Sequence, residues 1–150
     1  MRQALRLALE HMSAGEGGPF GAVVVRAGEV VGEGWNRVIA TNDPTAHAEV
    51  QAIRAACARL GRFELPDCEL YTSCEPCPMC LGAAYWARIP RIYFAADRHE
   101  AARGGFQDED MYRELTLDPA ERRVALVRCL PDEGRRPFDA WLAKADRVPY

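Results

Sequence analysis

Two short clusters hold residue types that bind metal and move protons: His47-Ala48-Glu49 and Pro76-Cys77-Pro78-Met79-Cys80. Cys77 and Cys80 stand three apart, so on a helix they share one face and can grip a single ion. Near a helix N-terminus their thiolates also gain from the partial positive charge there, which lowers their pKa. One imidazole and two thiolates form a borderline-soft set suited to Zn²⁺, with bonds of roughly 2.0–2.3 Å. Three protein ligands leave the fourth tetrahedral position for water, the arrangement of a catalytic site. Glu49 falls about 200° around the helix from His47 and need not be a ligand. From the first turn it can reach that water, which titrates near ~7 on zinc, and can carry its proton onward.

Either cluster alone is a weak signal, because H-x-E is common by chance and a lone C-x-x-C has many uses. Together, each at the start of an expected helix, they are specific. Cys74 makes a second, overlapping C-x-x-C. If it also bound, the site would be a closed Cys₃His structural zinc with no room for water. Cys57, Cys68 and Cys129 are solitary and read as small buried hydrophobes.

These clusters need elements to hold them. The chain has 150 residues, 49% hydrophobic and 27% charged, the balance of one ordinary globular domain. No run of 18 apolar residues offers a transmembrane helix. Arg2, Arg6 and Glu10 interrupt the leucines where a signal peptide needs an unbroken apolar stretch, so the expected location is cytoplasmic. The net charge of -3 disfavours a nucleic-acid partner, whose phosphates reward basic excess.

Helical spacing of Leu5, Ala8, Leu9 and Met12 predicts a first helix over 2–14. Ala22 to Arg26 and Val30 to Trp35 predict a hairpin around Ala27-Gly28-Glu29. A long helix is expected from about Thr45 to Leu60, closed by Gly61. Glu69 to Thr72 reads as a strand, and Pro76 as a residue in the first turn of a helix running to about Arg88. Arg91 to Ala96 is nearly continuously apolar, the pattern of a strand buried on both faces. A short helix around 109–115, a fifth strand over 124–129 and a last helix over 138–145 complete the order. The expected architecture is one α/β domain over residues 1–150, with helices on both faces of a five-stranded mixed sheet.

H-x-E paired with P-C-x-x-C is the known signature of the zinc nucleobase deaminases, so this is a match to an existing pattern. The chain resembles the cytidine deaminase superfamily, and within it the bacterial guanine deaminases, over nearly all of its length. The resemblance runs through Gly17-Gly18-Pro19-Phe20-Gly21-Ala22, then residues 42–49, 71–83 and Tyr85-Trp86-Ala87-Arg88, and ends at Tyr150. It implies a three-layer α/β/α sandwich with one zinc per subunit at His47, Cys77 and Cys80. The implied reaction is hydrolytic removal of the 2-amino group of guanine, a free purine base, giving xanthine and ammonia. Glu49 would deprotonate the water and protonate the adjacent ring nitrogen. The proton for the departing amine would come from Glu49 again or from Asp108, which otherwise reads as a solvated loop acid.

Asn36 offers a donor and an acceptor to a lactam edge, Phe20 a ring to stack on a purine, and the Ala48 backbone N–H a partner for a substrate carbonyl. Each also has a plainer reading, as turn, core or helix start. His11 and His99 have no partner motif. The resemblance further implies a homodimer with exchanged C-terminal segments, in which Trp86 and Tyr150 close the partner's site. Two other functions fit the same motifs: tRNA adenosine deamination, which wants a basic face, and a non-catalytic zinc module.

Overall fold

In the computed structural model, residues 1–106 and 108–149 are described; Gln107, Tyr150 and the Asp108 side chain lie outside the described residues. The chain divides into two compact units, Met1–Tyr112 and Arg113–Tyr150.

The first unit is built on a four-stranded sheet. β1 (Gly21–Arg26) and β2 (Glu29–Trp35) form the expected hairpin. Its turn residues Ala27 and Gly28 both take positive φ, 50° and 85°, the turn geometry that suits the twist of paired strands. β3 (Cys68–Cys74) pairs antiparallel with β1 on the other side, and β4 (Arg91–Ala96) pairs parallel with β3, giving the order β2-β1-β3-β4. The sheet is therefore mixed, as expected, but four-stranded among the described residues.

α1 (Arg2–Ser13) packs on one face. A β-carbon on Gly21 would lie 2.2 Å from the Ala4 carbonyl oxygen, so only glycine lets this helix approach so closely. α3 (Ala48–Leu60) packs on the opposite face; it follows the one-turn helix α2 (Val38–Thr41). Gly32 and Gly34 of β2 lie directly beneath its backbone. Between the sheet and α3 sits the core, with Val24, Leu65 and Leu70 fully buried, each stabilising by about 1.5–3 kcal/mol. Gly61 caps α3 in the left-handed conformation, as its position predicts.

α4 (Pro78–Trp86) crosses from β3 to β4. Its first-turn proline is Pro78, with Cys77 at the N-cap, so the helix starts two residues later than Pro76 suggests. α5 (Arg98–Arg103) follows β4, started by a reciprocal capping box between Asp97 and Glu100. α6 (Asp108–Thr116) comes next.

Two expectations for strands are corrected. Among the described residues β4 is an edge strand, with Tyr93 39% and Phe94 48% exposed, so it is not buried on both faces. Residues 124–129 form no strand. Among the described residues they have no ladder partner, and Val124, Leu126 and Val127 stand exposed. Cys129 is likewise exposed, whereas Cys68 is buried as expected and Cys57 is half-buried. In this second unit α7 runs over Pro131–Ala143, starting seven residues before Phe138 and holding Pro137 within it.

Candidate active site

The topology brings the functional residues to one edge of the sheet. β2 and β3 are both antiparallel to β1, so they run in the same direction, and β4 runs with them. The chain therefore leaves β2, β3 and β4 and enters β1 at a common edge. α3 and α4 start there, with the loops 17–20 and 104–106 beside them. His47 and Cys77 are the N-cap residues of α3 and α4, each in extended backbone conformation. Asp43 shapes the approach to α3: its carboxylate accepts from the Thr45 backbone N–H at 2.8 Å and hydroxyl at 2.7 Å. Those bonds hold its carboxyl below the usual range.

His47 Nδ1 lies 3.6 Å from Cys77 Sγ and 3.5 Å from Cys80 Sγ, and the two sulfurs are 3.7 Å apart. A tetrahedral ion with bonds of about 2.05 Å to nitrogen and 2.3 Å to sulfur spans edges of about 3.6 Å (N to S) and 3.8 Å (S to S). The three ligand atoms thus match the edges of one tetrahedral zinc. No closed Cys₃His set forms among the described residues. Cys74 instead ends β3 with its thiol 3.7 Å from the Asp97 carbonyl oxygen.

Glu49, in the first turn of α3, is 5% exposed and points into the same space. Its Oε2 accepts from the Cys80 thiol at 3.4 Å. Burial pushes the Glu49 carboxyl up, and the charge of Cys77 adds to the push. Its hydrogen bond with Cys80, helped by the His47 ring, holds the Cys77 thiol down to about 4. Cys80 moves the other way, raised by its bond to Cys77 and by burial. A buried carboxyl whose pKa is raised in this way suits a group that must accept and return protons.

A cavity of about 370 Å³ opens over these groups, a size suited to a small molecule. Its lining includes Gly17, Gly18, Phe20, Asn36, Val38, Ile39, Pro44, Glu75 and Phe106. Asn36 is buried, and its Oδ1 accepts from the backbone N–H groups of Gly18 at 3.2 Å and Val38 at 3.3 Å. Those two donors fix the amide orientation and spend its oxygen, leaving the NH₂ for a ligand. Gly17 makes room for this, since a β-carbon there would lie 2.3 Å from the Asn36 carbonyl oxygen. Phe20 meets Phe106 edge to face, with centroids 4.7 Å apart.

Phe106 and Glu75 were not singled out from sequence. A ring following Gly104-Gly105, and an acid inside Cys74-Glu75-Pro76-Cys77, were the available signals. Ala48 is the fully buried first residue of α3, whose N-terminus carries no side-chain cap. Trp86 ends α4, is 65% exposed and does not line the cavity. Asp108 starts α6, but its side chain is outside the described residues, as is Tyr150. His11, without a sequence motif, stacks on Trp35 at 3.7 Å with Glu16 bonded to both rings.

A mixed sheet flanked by helices, with one His and two Cys at two helix starts beside a buried Glu, defines a class of zinc hydrolases. The cytidine and deoxycytidylate deaminase zinc-binding region matches residues 1–96, and the chain belongs to this family. It is similar to the guanine deaminase of Bacillus subtilis (strain 168), at 49% identity over all of this chain and 96% of that protein. The X-ray structure of guanine deaminase from Bacillus subtilis superposes with a TM-score of 0.95, at 50% identity, covering 99% of this chain and 95% of that one. The tRNA-specific adenosine deaminase of Agrobacterium fabrum is 48% identical, over only 61% of this chain and 62% of its own length. Among the described residues no helix is long and apolar enough to cross a membrane.

Proposed function

We propose that this protein is a zinc-dependent guanine deaminase that hydrolyses guanine to xanthine and ammonia. The observation that carries the reading is likeness to a guanine deaminase along the whole chain, C-terminal segment included. Likeness to the tRNA-specific enzyme spans about three fifths of the chain, and the net charge of -3 gives RNA no general attraction.

His47, Cys77 and Cys80 would hold one zinc per subunit. When bound, the ion supplies Lewis acidity that makes water a competent nucleophile at neutral pH. Glu49 takes a proton from the attacking water and delivers it to the ring nitrogen next to the amino-bearing carbon. A carbon–oxygen bond forms there and the carbon–nitrogen bond to the amine then breaks. The remaining hydroxyl proton leaves with the amine through Glu49, with Asp108 sharing that transfer, and the products are xanthine and ammonia. The Asn36 NH₂ donates to the substrate's ring carbonyl, and the Ala48 N–H supports a substrate oxygen at the uncapped helix start. Phe20, with Phe106 at its edge, flanks the flat ring.

The working unit is a homodimer of single deaminase domains, residues 1–150, that exchange C-terminal segments, with Trp86 and Tyr150 closing the partner's site. Uncovered apolar surface on each unit supports this: Tyr85, Trp86 and Phe94 on the first; Val127, Phe138 and Leu142 on the second. Thiolate ligands need a reducing compartment, which fits a cytoplasmic protein. Incubating purified zinc-loaded protein with free guanine and following xanthine by ultraviolet absorbance tests the reading; no turnover of free base would reject it.

A further inference from the structure

The loop that delivers Cys77 is clamped from two directions. Two residues before Cys77, the Glu75 carboxylate accepts from Arg98 three times: backbone N–H at 3.1 Å, Nε at 3.1 Å and Nη2 at 2.5 Å. The Arg98 guanidinium lies over the Tyr112 ring, 4.0 Å from its centroid. The Tyr112 hydroxyl in turn donates to the Pro76 carbonyl oxygen at 2.6 Å. That oxygen belongs to the planar peptide that enters Cys77, so holding it fixes the plane and with it the direction of the Cys77 side chain. Proline has no N–H, which makes the carbonyl the one backbone handle Pro76 offers. Tyr112 lies four residues, about one turn, after Asp108 at the start of α6.

We propose that Tyr112, backed by Arg98, is a positioning residue: it sets the Pro76–Cys77 peptide, and hence a metal-ligand sulfur, in register with the first turn of α6. This rests on the reading of Cys77 as a zinc ligand in the proposed deaminase. Arg98 serves the clamp twice, pairing with an acid that lines the same cavity as Cys77 and Glu49 and packing the ring that aims the hydroxyl.

The test uses full-length Tyr112→Phe, which keeps the ring over Arg98 and removes only the hydroxyl donor. Arg98→Lys keeps the charge and removes the planar fork and its stacking. Both are loaded with zinc for chelator-driven metal release, and with cobalt for the thiolate charge-transfer and d–d absorption of the site. Metal release about 3- to 10-fold faster in both variants is expected, the size of one hydrogen bond, with shifted cobalt bands. The guanine kcat should fall with little change in KM. Should Tyr112→Phe fail to fold, Arg98→Lys carries the same comparison. Wild-type release rates and cobalt spectra would overturn the proposal, even if the variants were thermally less stable. If the wild-type enzyme did not turn over guanine, the functional reading would fall while release and spectra still decided the clamp.

Discussion

Replacing Gly34 with alanine should dislodge the end of α3 that carries His47 and Glu49. A β-carbon there would lie 2.2 Å from the Ala48 carbonyl oxygen and 2.4 Å from the Ala52 amide nitrogen. Ordinary contact begins near 3.4 Å, so strand and helix must separate by 1.2 Å (3.4 − 2.2). Both obstructing atoms are backbone, and no side-chain rotation relieves them. Overpacking of this kind costs about 1–3 kcal/mol, which lowers Tm by roughly 3–10 °C in a domain of this size. The functional cost is larger because Ala48 joins the two residues that matter. Metal sites tolerate about 0.2 Å of ligand displacement, and a 1 Å misplacement near the chemistry can cost about 10²-fold in rate. Zinc content, guanine kcat/KM and thermal unfolding should be measured on Gly34→Ala beside Gly32→Ala. The Gly32 β-carbon would meet Ala52 and Ala56, one turn further from the ligands, at 2.3 Å and 2.7 Å. The two variants should lose similar stability, with Gly34→Ala losing far more activity. An unchanged Tm for Gly34→Ala would refute the packing; equal activity losses would refute local displacement of the site.

Glu49→Gln should retain zinc and lose at least ~10³-fold in turnover, because an amide carries no protons; metal loss in that variant would make Glu49 a ligand. Asn36→Asp keeps an oxygen for the Gly18 and Val38 N–H groups but removes the NH₂ donor and adds charge, so KM for guanine should rise about tenfold or more with zinc unchanged. Hydrogen bonds from Arg98 hold the Glu75 carboxyl below its ordinary 4.5. Its stabilisation is therefore complete above that pH and lost as pH falls through the depressed value, so Glu75→Gln should flatten the acid limb of a stability–pH curve below about 4.5, measured on metal-free protein. Deleting Val148 to Tyr150 should leave fold and zinc intact and lower turnover at least ~10-fold. Mixing that deletion with intact-tailed Glu49→Gln should restore activity, by pairing a working Glu49 with a partner's tail; heterodimers without recovery would reject the exchange.

The metal set was legible because its geometry is local. Two ligands three residues apart share a helix face, and a proline nearby marks the helix start. Which proline is less legible, since Pro76 and Pro78 are equally tolerated in a first turn. Cys77 settles it by taking the N-cap, which makes Pro78 the first helical residue. α5 carried its own signal in Asp97-Arg98-His99-Glu100, a capping box, but only six residues separate Asp97 from Gly104, where it ends. The last helix is expected from Phe138, while Pro131 and the first-turn acids Asp132 and Glu133 begin α7 seven residues earlier. Asn36 lines the cavity, as its place at the end of β2 suggests, but the two backbone N–H groups that occupy its side-chain oxygen, one of them 18 residues away in sequence, leave no sequence signal.

The strand misreadings have a different origin. Apolar continuity over Arg91–Ala96, and an apolar run over 124–129, are statements about burial, and burial does not specify which chain supplies the cover. Among the described residues β4 is an edge with Tyr93 and Phe94 exposed, and Val124, Leu126 and Val127 have no ladder partner. An open strand edge presents unpaired N–H and C=O groups alongside apolar side chains, a combination natural proteins cover or blunt. Arg91 and the Tyr93 hydroxyl, both directed to Glu69, place polar groups near the start of β4 only. The rest of that edge is a template for one more strand.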